Sequence, residues 1–359
     1  MASGCTGGAS VDAPNTVGGE GSADRAVNEK GETSMISLPT IAGVRDLGVI
    51  ANPKGTNFGR DGASSCTLGG KLLYAFGDTL FFTKAADGTS YRTNTAAIAD
   101  LTSPTVLNEP LDANGFPSQF IPFTANEIAY NQAAGDTGND RIGLWPGRCV
   151  TLPDGTGLVF FDKLKIKNGE FEFLGMGAAK VTKGSTTATR LPDLLFAPPE
   201  PDFFHAALVD HGFLYLYSCT KSPVCQVGRA PVGQATRRAS YTFWDGSSWT
   251  SDQTRAVASV PGAASGFSVA YNAYLGAYVS FTSYGVKPNI SMRVAPSPVG
   301  PWSDAIDVFT FPGNVYAVEQ HTALAADGGR RVFVSAFRSL GDLRGDIHLL
   351  QVDLAKGRS

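Results

Sequence analysis

The sequence predicts an all-β protein, a single five-bladed β-propeller behind a disordered N-terminal tether, and three observations carry that prediction. Gly and Pro are abundant, 42 and 21 residues, beside 22 Phe and 11 Tyr, the mixture expected of many short strands joined by tight turns. A hairpin-like unit, a small-residue strand followed by a turn and an aromatic-rich strand, recurs five times. No stretch carries a convincing 3.6-residue apolar period, so no amphipathic helix is expected. A pair of β-sandwiches would predict a break in composition near the middle of the chain, and there is none.

The first unit lies within Gly59 to Phe82. Ala63 to Leu68 reads as a small-residue strand, Gly69-Gly70 as its turn and Leu72 to Phe76 as a buried strand. Thr151 to Asp162 runs in register with Thr67 to Asp78, which aligns Asp162 with Asp78. The third unit starts at Ala207-Leu208, turns at Asp210-His211-Gly212 and continues through Phe213 to Ser218. The fourth pairs Ser268 to Tyr271 with Ala277 to Phe281. The fifth is read as Thr322-Ala323-Leu324, a turn at Asp327-Gly328-Gly329, and Arg331 to Phe337. Small residues suit the crowded innermost strands, and unbroken apolar runs suit second strands buried on both faces.

Residues 1–36 are rich in Gly, Ala, Ser and charge and poor in large apolar side chains, which predicts a disordered tether ahead of a propeller domain over 37–359. Ala2-Ser3-Gly4-Cys5 is similar to the end of a bacterial lipoprotein signal, which makes Cys5 the candidate lipidation site and the protein exported, tethered at a cell surface or secreted. The net charge of −3 gives no footprint for nucleic acid, and no apolar run reaches the roughly 20 residues that span a bilayer. With Cys5 set aside four cysteines remain. Cys219 and Cys225 flank a short Pro-containing loop and are expected to pair. Cys66 and Cys149 sit on adjacent innermost strands, as a second bridge or as two buried thiols.

In a propeller the residues just before each innermost strand gather at one mouth of the central channel. That layer holds Arg60 and Asp61, Trp145 and Arg148, Asp202 and His205, Phe267, and Glu319 and His321, with Asp78 and Asp162 at the ends of second strands on the same side. Such a rim can take sugar faces on its aromatics and sugar hydroxyls on its acids. His205 and His321 hold equivalent places in two repeats, and either touch substrate or hydrogen-bond within the funnel. Asp61 and Asp78, 17 positions apart, converge at one end of one hairpin, as acid/base hydrolysis of a glycosidic bond requires. Asp61 is read as the base and Asp78, beside Phe76, Phe81 and Phe82, as the acid whose pKa burial raises; the two roles can be exchanged. Glu127 is a third candidate acid. With four His and neither a His-Glu-x-x-His nor a paired Cys-x-x-Cys, no metal or other cofactor is expected.

Arg60-Asp61-Gly62, Phe76-Gly77-Asp78-Thr79, Phe123-Thr124-Ala125-Asn126-Glu127 and Trp145-Pro146-Gly147 together resemble the signature of glycoside hydrolase family 183, formerly an uncharacterised domain. The motifs lie in the first two repeats, and the length and blade pattern fit residues 37–356. The resemblance implies a five-bladed propeller, an endo-D-arabinanase acting on D-arabinofuranose chains of mycobacterial cell-wall arabinan, and catalytic carboxylates at Asp61 and Asp78. The expected partner is a polysaccharide substrate and the expected state a monomer. A carbohydrate-binding propeller without turnover is the rival reading.

Overall fold

The computed structural model describes residues 37–55, 58–135, 140–220, 223–341 and 344–357. The proposed tether and Cys5 lie outside the described residues.

The chain folds as a five-bladed propeller of antiparallel strands. Blade one is Ser64–Leu68, Lys71–Phe76, Thr95–Asp100 and Ser103–Asn108, and blade two is Asp140–Thr151, Gly157–Lys167, Glu170–Val181 and Thr189–Phe196. Blade three is built on Ala206–Asp210, Phe213–Ser218 and Val224–Pro231, with short outer strands beyond. Blades four and five share one seven-stranded sheet running from Phe267–Asn272 to Thr40–Val49. The link is the 15-residue strand Ile306–Gln320. Its first half pairs with Lys287–Ala295 as the outer strand of blade four, and its last residues pair with Arg331–Gly341 as the inner strand of blade five. Thr40–Val49 then pairs with Arg344–Ala355, so the first described strand completes the last blade.

The recurrent hairpin is the unit the sequence predicts. Ser64 pairs with Ala75 and Leu68 with Lys71 across Gly69-Gly70, whose φ of 59° and 81° is the left-handed region a two-residue turn needs. The second strands are buried almost throughout, from Leu72 to Phe76 and over the whole of Ala277–Thr282. Each such Leu, Phe or Val contributes about 1.5–3 kcal/mol by leaving water. The fifth repeat is corrected: Thr322–Leu324 is a turn of 3-10 helix, and the inner strand is the end of Ile306–Gln320.

The chain does hold one α-helix among the described residues, though not an amphipathic one. Ala125–Ala133 is an α-helix, opened by a capping box in which Glu127 Oε2 accepts from the Thr124 N–H and the Thr124 hydroxyl accepts from the Glu127 N–H. It lacks an apolar stripe because its buried residues are Glu127 and Asn131, so periodicity could not find it. No helix among the described residues is long and apolar enough to cross a membrane.

Both cysteine pairs are bonded. Cys219–Cys225 closes the short loop of blade three, and Cys66–Cys149 joins the innermost strands of blades one and two across 83 positions. Closing a loop of that length stabilises the fold by about 4 kcal/mol in the chain-entropy account.

Candidate active site

Asp61 and Asp78 meet where the first hairpin is interrupted. Below them Ser64 pairs with Ala75; above them a small sheet resumes with Arg60 opposite Thr79. Between the two ladders the Asp61 N–H donates to the Asp78 carbonyl at 3.1 Å and the Gly77 N–H to the Asp61 carbonyl at 2.8 Å. Gly62, at φ 66°, makes the jog. Gly77 leaves room for the carboxylate, since a Cβ there would stand 2.3 Å from Asp61 Oδ1.

The two acids have unequal partners. Asp61 Oδ2 accepts from the Tyr316 hydroxyl at 3.0 Å. Asp78 accepts from Arg141 Nη2 at 2.7 Å and from the Trp145 indole N–H at 3.1 Å. Burial and the neighbouring Asp78 charge push the Asp61 carboxyl up to about 7, against the Tyr316 hydrogen bond. Burial raises Asp78 as well, but Arg141 and Trp145 oppose it. Two adjacent carboxylates do not both ionise readily, and the one facing a guanidinium ionises first. Asp61 is therefore the better placed of the two to hold a proton, and Asp78 the better placed to ionise.

Trp145 is the predicted rim residue that reaches these acids directly. Its ring lies 5.3 Å from that of Phe171, while Arg141 stacks over Tyr91 at 4.8 Å. Arg141, Tyr316 and Phe171 belong to this mouth and were not singled out from the sequence.

Asp162, Asp202 and His205 also come together, as a second cluster. The two carboxyl groups hydrogen-bond to each other, and Ser218 Oγ donates to Asp202 at 3.4 Å. Burial, with Asp202 alongside, pushes Asp162 well above the carboxylate range, and burial pushes Asp202 up to about 6. Asp162 therefore donates a shared proton to Asp202. His205 is held down to about 3 by burial and the Arg148 charge, so its Nδ1 is free to accept from the Cys219 N–H at 3.2 Å.

The other rim candidates are engaged by partners within the protein. Arg60 is buried, pairs with Glu109 at 2.8 Å and packs over Phe58 and Phe76, so it does not face the funnel. The Phe267 ring is fully buried in the core shared by blades three and four; its carbonyl accepts from Arg148. Arg148 sits on the axis, where its Nε donates to the His205 carbonyl and Nη1 pairs with Glu319. A bulge delivers it there: Val159 pairs with Cys149 and Phe161 with Pro146, leaving Gly147 and Arg148 opposite one residue. Burial pushes Glu319 up to about 7 against the Arg148 charge. His321, fully buried and held down to about 3 by burial and Arg148, contacts Ser65 Oγ at 2.7 Å.

Glu127 does not join the acid pair. Its carboxylate is buried against Arg190 at 2.6 Å and Lys163 at 2.7 Å, and these bonds, with the Thr124 N–H, hold it down to about 2 despite burial. A carboxyl so firmly ionised has no proton to give near neutrality.

A cavity of about 400 Å³ occupies the channel, lined by Thr67, Thr151, Val209 and Tyr271 with Arg148 and Glu319. These residues lie toward the C-terminal ends of the innermost strands, the opposite ends from Asp61 and Asp78. Among the described residues no group of three His, Cys, Asp or Glu is placed to hold a metal ion.

The sequence profile of a domain of unknown function, DUF4185, matches residues 179–326, from the end of blade two into blade five. No curated protein matches the sequence. Among solved structures, a Bacteroides ovatus protein provisionally described as a hydrolase aligns with TM-score 0.62 at 17% identity, over 82% of this chain and 86% of its own. The Podospora anserina α-L-arabinofuranosidase PaAbf62A, solved with cellotriose, aligns with TM-score 0.50 at 13% identity, over 88% and 98%. CoXyl43, a GH43 β-xylosidase/α-arabinofuranosidase from a compost metagenome solved with xylotriose, aligns with TM-score 0.51 at 11% identity, over 88% and 95%. At these identities, what the chain shares with them is the fold.

Proposed function

We propose that the protein is a glycoside hydrolase acting on a furanose polysaccharide, and specifically an endo-D-arabinanase of the family 183 type acting on mycobacterial-type arabinan. The observation that carries the reading is the Asp61–Asp78 pair at one mouth of the propeller, with a proton holder and a carboxylate set apart by their partners. Asp61, protonated up to about pH 7, gives its proton to the glycosidic oxygen as the bond to the leaving sugar breaks. Asp78, kept ionised by Arg141 and Trp145, takes a proton from the water that attacks the anomeric carbon. Asp78 then releases that proton to solvent and Asp61 takes one up, which resets the pair. Family resemblance in the first two repeats and the sugar-active enzymes that share the fold support the substrate class.

The protein works as an exported monomer, anchored through a lipid at Cys5. Support comes from Ala2-Ser3-Gly4-Cys5 and from two disulfides, which persist in oxidising compartments. The test is product release from purified mycobacterial arabinogalactan by wild type, Asp61→Asn and Asp78→Asn. Oligosaccharides from wild type alone, with both variants folded, uphold the reading. Cleavage of another furanoside in place of arabinan changes the substrate. Binding without release on a broad glycan panel replaces the enzyme with a carbohydrate-binding propeller.

A further inference from the structure

Blade two projects an aromatic surface outward from the acids. Its first three strands are long, 11 or 12 residues each, and the hairpin between Gly157–Lys167 and Glu170–Val181 turns on Asn168 and Gly169 at φ 52° and 82°. Ile166 faces Arg141 on one neighbouring strand and Phe171 on the other, so Arg141, Ile166 and Phe171 form one rung on one face. Trp145, four residues further along the strand from Arg141, shares that face. Gly143 lies between: a Cβ there would come within 3.1 Å of Ile166 and 3.7 Å of Trp145 Nε1, so its lack of a side chain gives both rings and methyls room. The order outward is the Asp78 carboxylate, the Trp145 indole that donates to it, and the Phe171 ring 5.3 Å beyond.

Phe171 is 60% exposed, although Ile166 beneath it is already buried. The surface is held stiff from behind by side chains on alternate positions. Lys163 pairs with Glu127 at 2.7 Å, Lys165 lies 5.6 Å over Tyr130, and the Asn131 amide bonds both the N–H and the carbonyl of Ile142. The helix that carries Glu127 is thus a buttress, and a large apolar ring is kept in water on a rigid support beside the acids.

We infer that Trp145 and Phe171 form a carbohydrate-binding platform that holds a further sugar unit of a polymer chain beyond the bond being cut. This rests on the hydrolase reading and deepens it: the enzyme grips its substrate away from the scissile bond, as attack within a chain requires. The apolar faces of furanose rings stack on Phe171, and the gain is binding of the extended chain.

The test compares wild type, Phe171→Ala and Phe171→Trp on arabinogalactan and on the shortest arabinan oligosaccharide that wild type cuts. Phe171→Ala is expected to raise KM on the polymer roughly five- to tenfold, with kcat, the short substrate and Tm unchanged, and Phe171→Trp to restore KM. An unchanged polymer KM, or equal losses on both substrates with a lower Tm, overturns the platform. If wild type hydrolyses no glycan, the hydrolase reading fails, and retardation in gels cast with arabinogalactan decides this one. Retardation lost in Phe171→Ala upholds the platform; equal retardation, or none for wild type, overturns it.

Discussion

The two acid pairs of this propeller are built from equivalent places and behave differently. Asp78 and Asp162 align in the two hairpins, and Asp61 and Asp202 both precede innermost strands. But Asp78 lies just past the end of its second strand, whereas Asp162, expected at a strand end, falls in the middle of Gly157–Lys167 because that strand runs on for five more residues. Asp61 and Asp78 belong to one blade, stay partly open to solvent, and each has its own partner, a tyrosine hydroxyl for one and a guanidinium with an indole for the other. Asp162 and Asp202 come from adjacent blades, are buried, and share a proton between themselves beside the Ser218 hydroxyl and a neutral histidine. A proton held between two buried carboxyls and out of reach is a structural bond. A proton biased to one acid at an open mouth is one that can be transferred.

The largest expected effect separates the pairs directly. Asp61→Asn and Asp78→Asn should each lower kcat by about 10²–10⁴, while Asp162→Asn, which keeps a donor toward Asp202, should change it less than tenfold. Equal losses in steady-state kinetics would bring the buried pair into the chemistry. Next comes Glu127→Gln, which leaves Arg190 and Lys163 without their counter-charge and should cost roughly 3 kcal/mol of stability by denaturant titration, with the pH profile of kcat unmoved. Because the Glu127 pKa is depressed to about 2, that gap is full above about pH 4.5 and closes as pH falls toward 2.

The pH dependence of stability has the opposite sign for both aspartate pairs. The folded state holds protons that the unfolded chain has lost, between about pH 4 and 7 for Asp61 and between about pH 4 and 6 for Asp202, so stability falls as pH rises through those windows. Asp61→Asn should therefore melt above wild type at pH 8, with the difference vanishing near pH 4. Tyr316→Phe is the smallest change. It removes the bond that holds the Asp61 pKa down, so the alkaline limb of activity should move upward, and an unmoved limb would take Tyr316 out of the site.

The hairpins were legible because each carries its own turn and its own buried strand, so aligning turns finds both acids of blade one. The partners that give those acids different roles were not: Arg141 is 63 positions from Asp78 and Tyr316 is 255 from Asp61, and only ring closure brings them in. Blade five misread by a few residues because its inner strand continues from blade four without a turn to mark it. Glu127 looked like a free acid because Thr124-Ala125-Asn126-Glu127 was read for charge; its spacing is that of a capping box. Phe171 gave no signal of a site, since Phe171 and Phe173 alternating with Glu170 and Glu172 read as an ordinary half-buried strand until their exposure is known.

The strand Ile306–Gln320 has a consequence for how the ring comes apart. Blades four and five cannot separate without tearing a continuous ladder, blades one and two are stapled by Cys66–Cys149, and blades five and one are stitched where Ala51 bridges Val106. Blade three has gentler ties on both sides, such as Arg148 on the His205 carbonyl and the Asp162–Asp202 pair toward blade two, and the Tyr278 hydroxyl on Asp210 toward blade four. Thermal breathing should then begin at blade three, and its amides should be the first of the inner strands to exchange with heavy water.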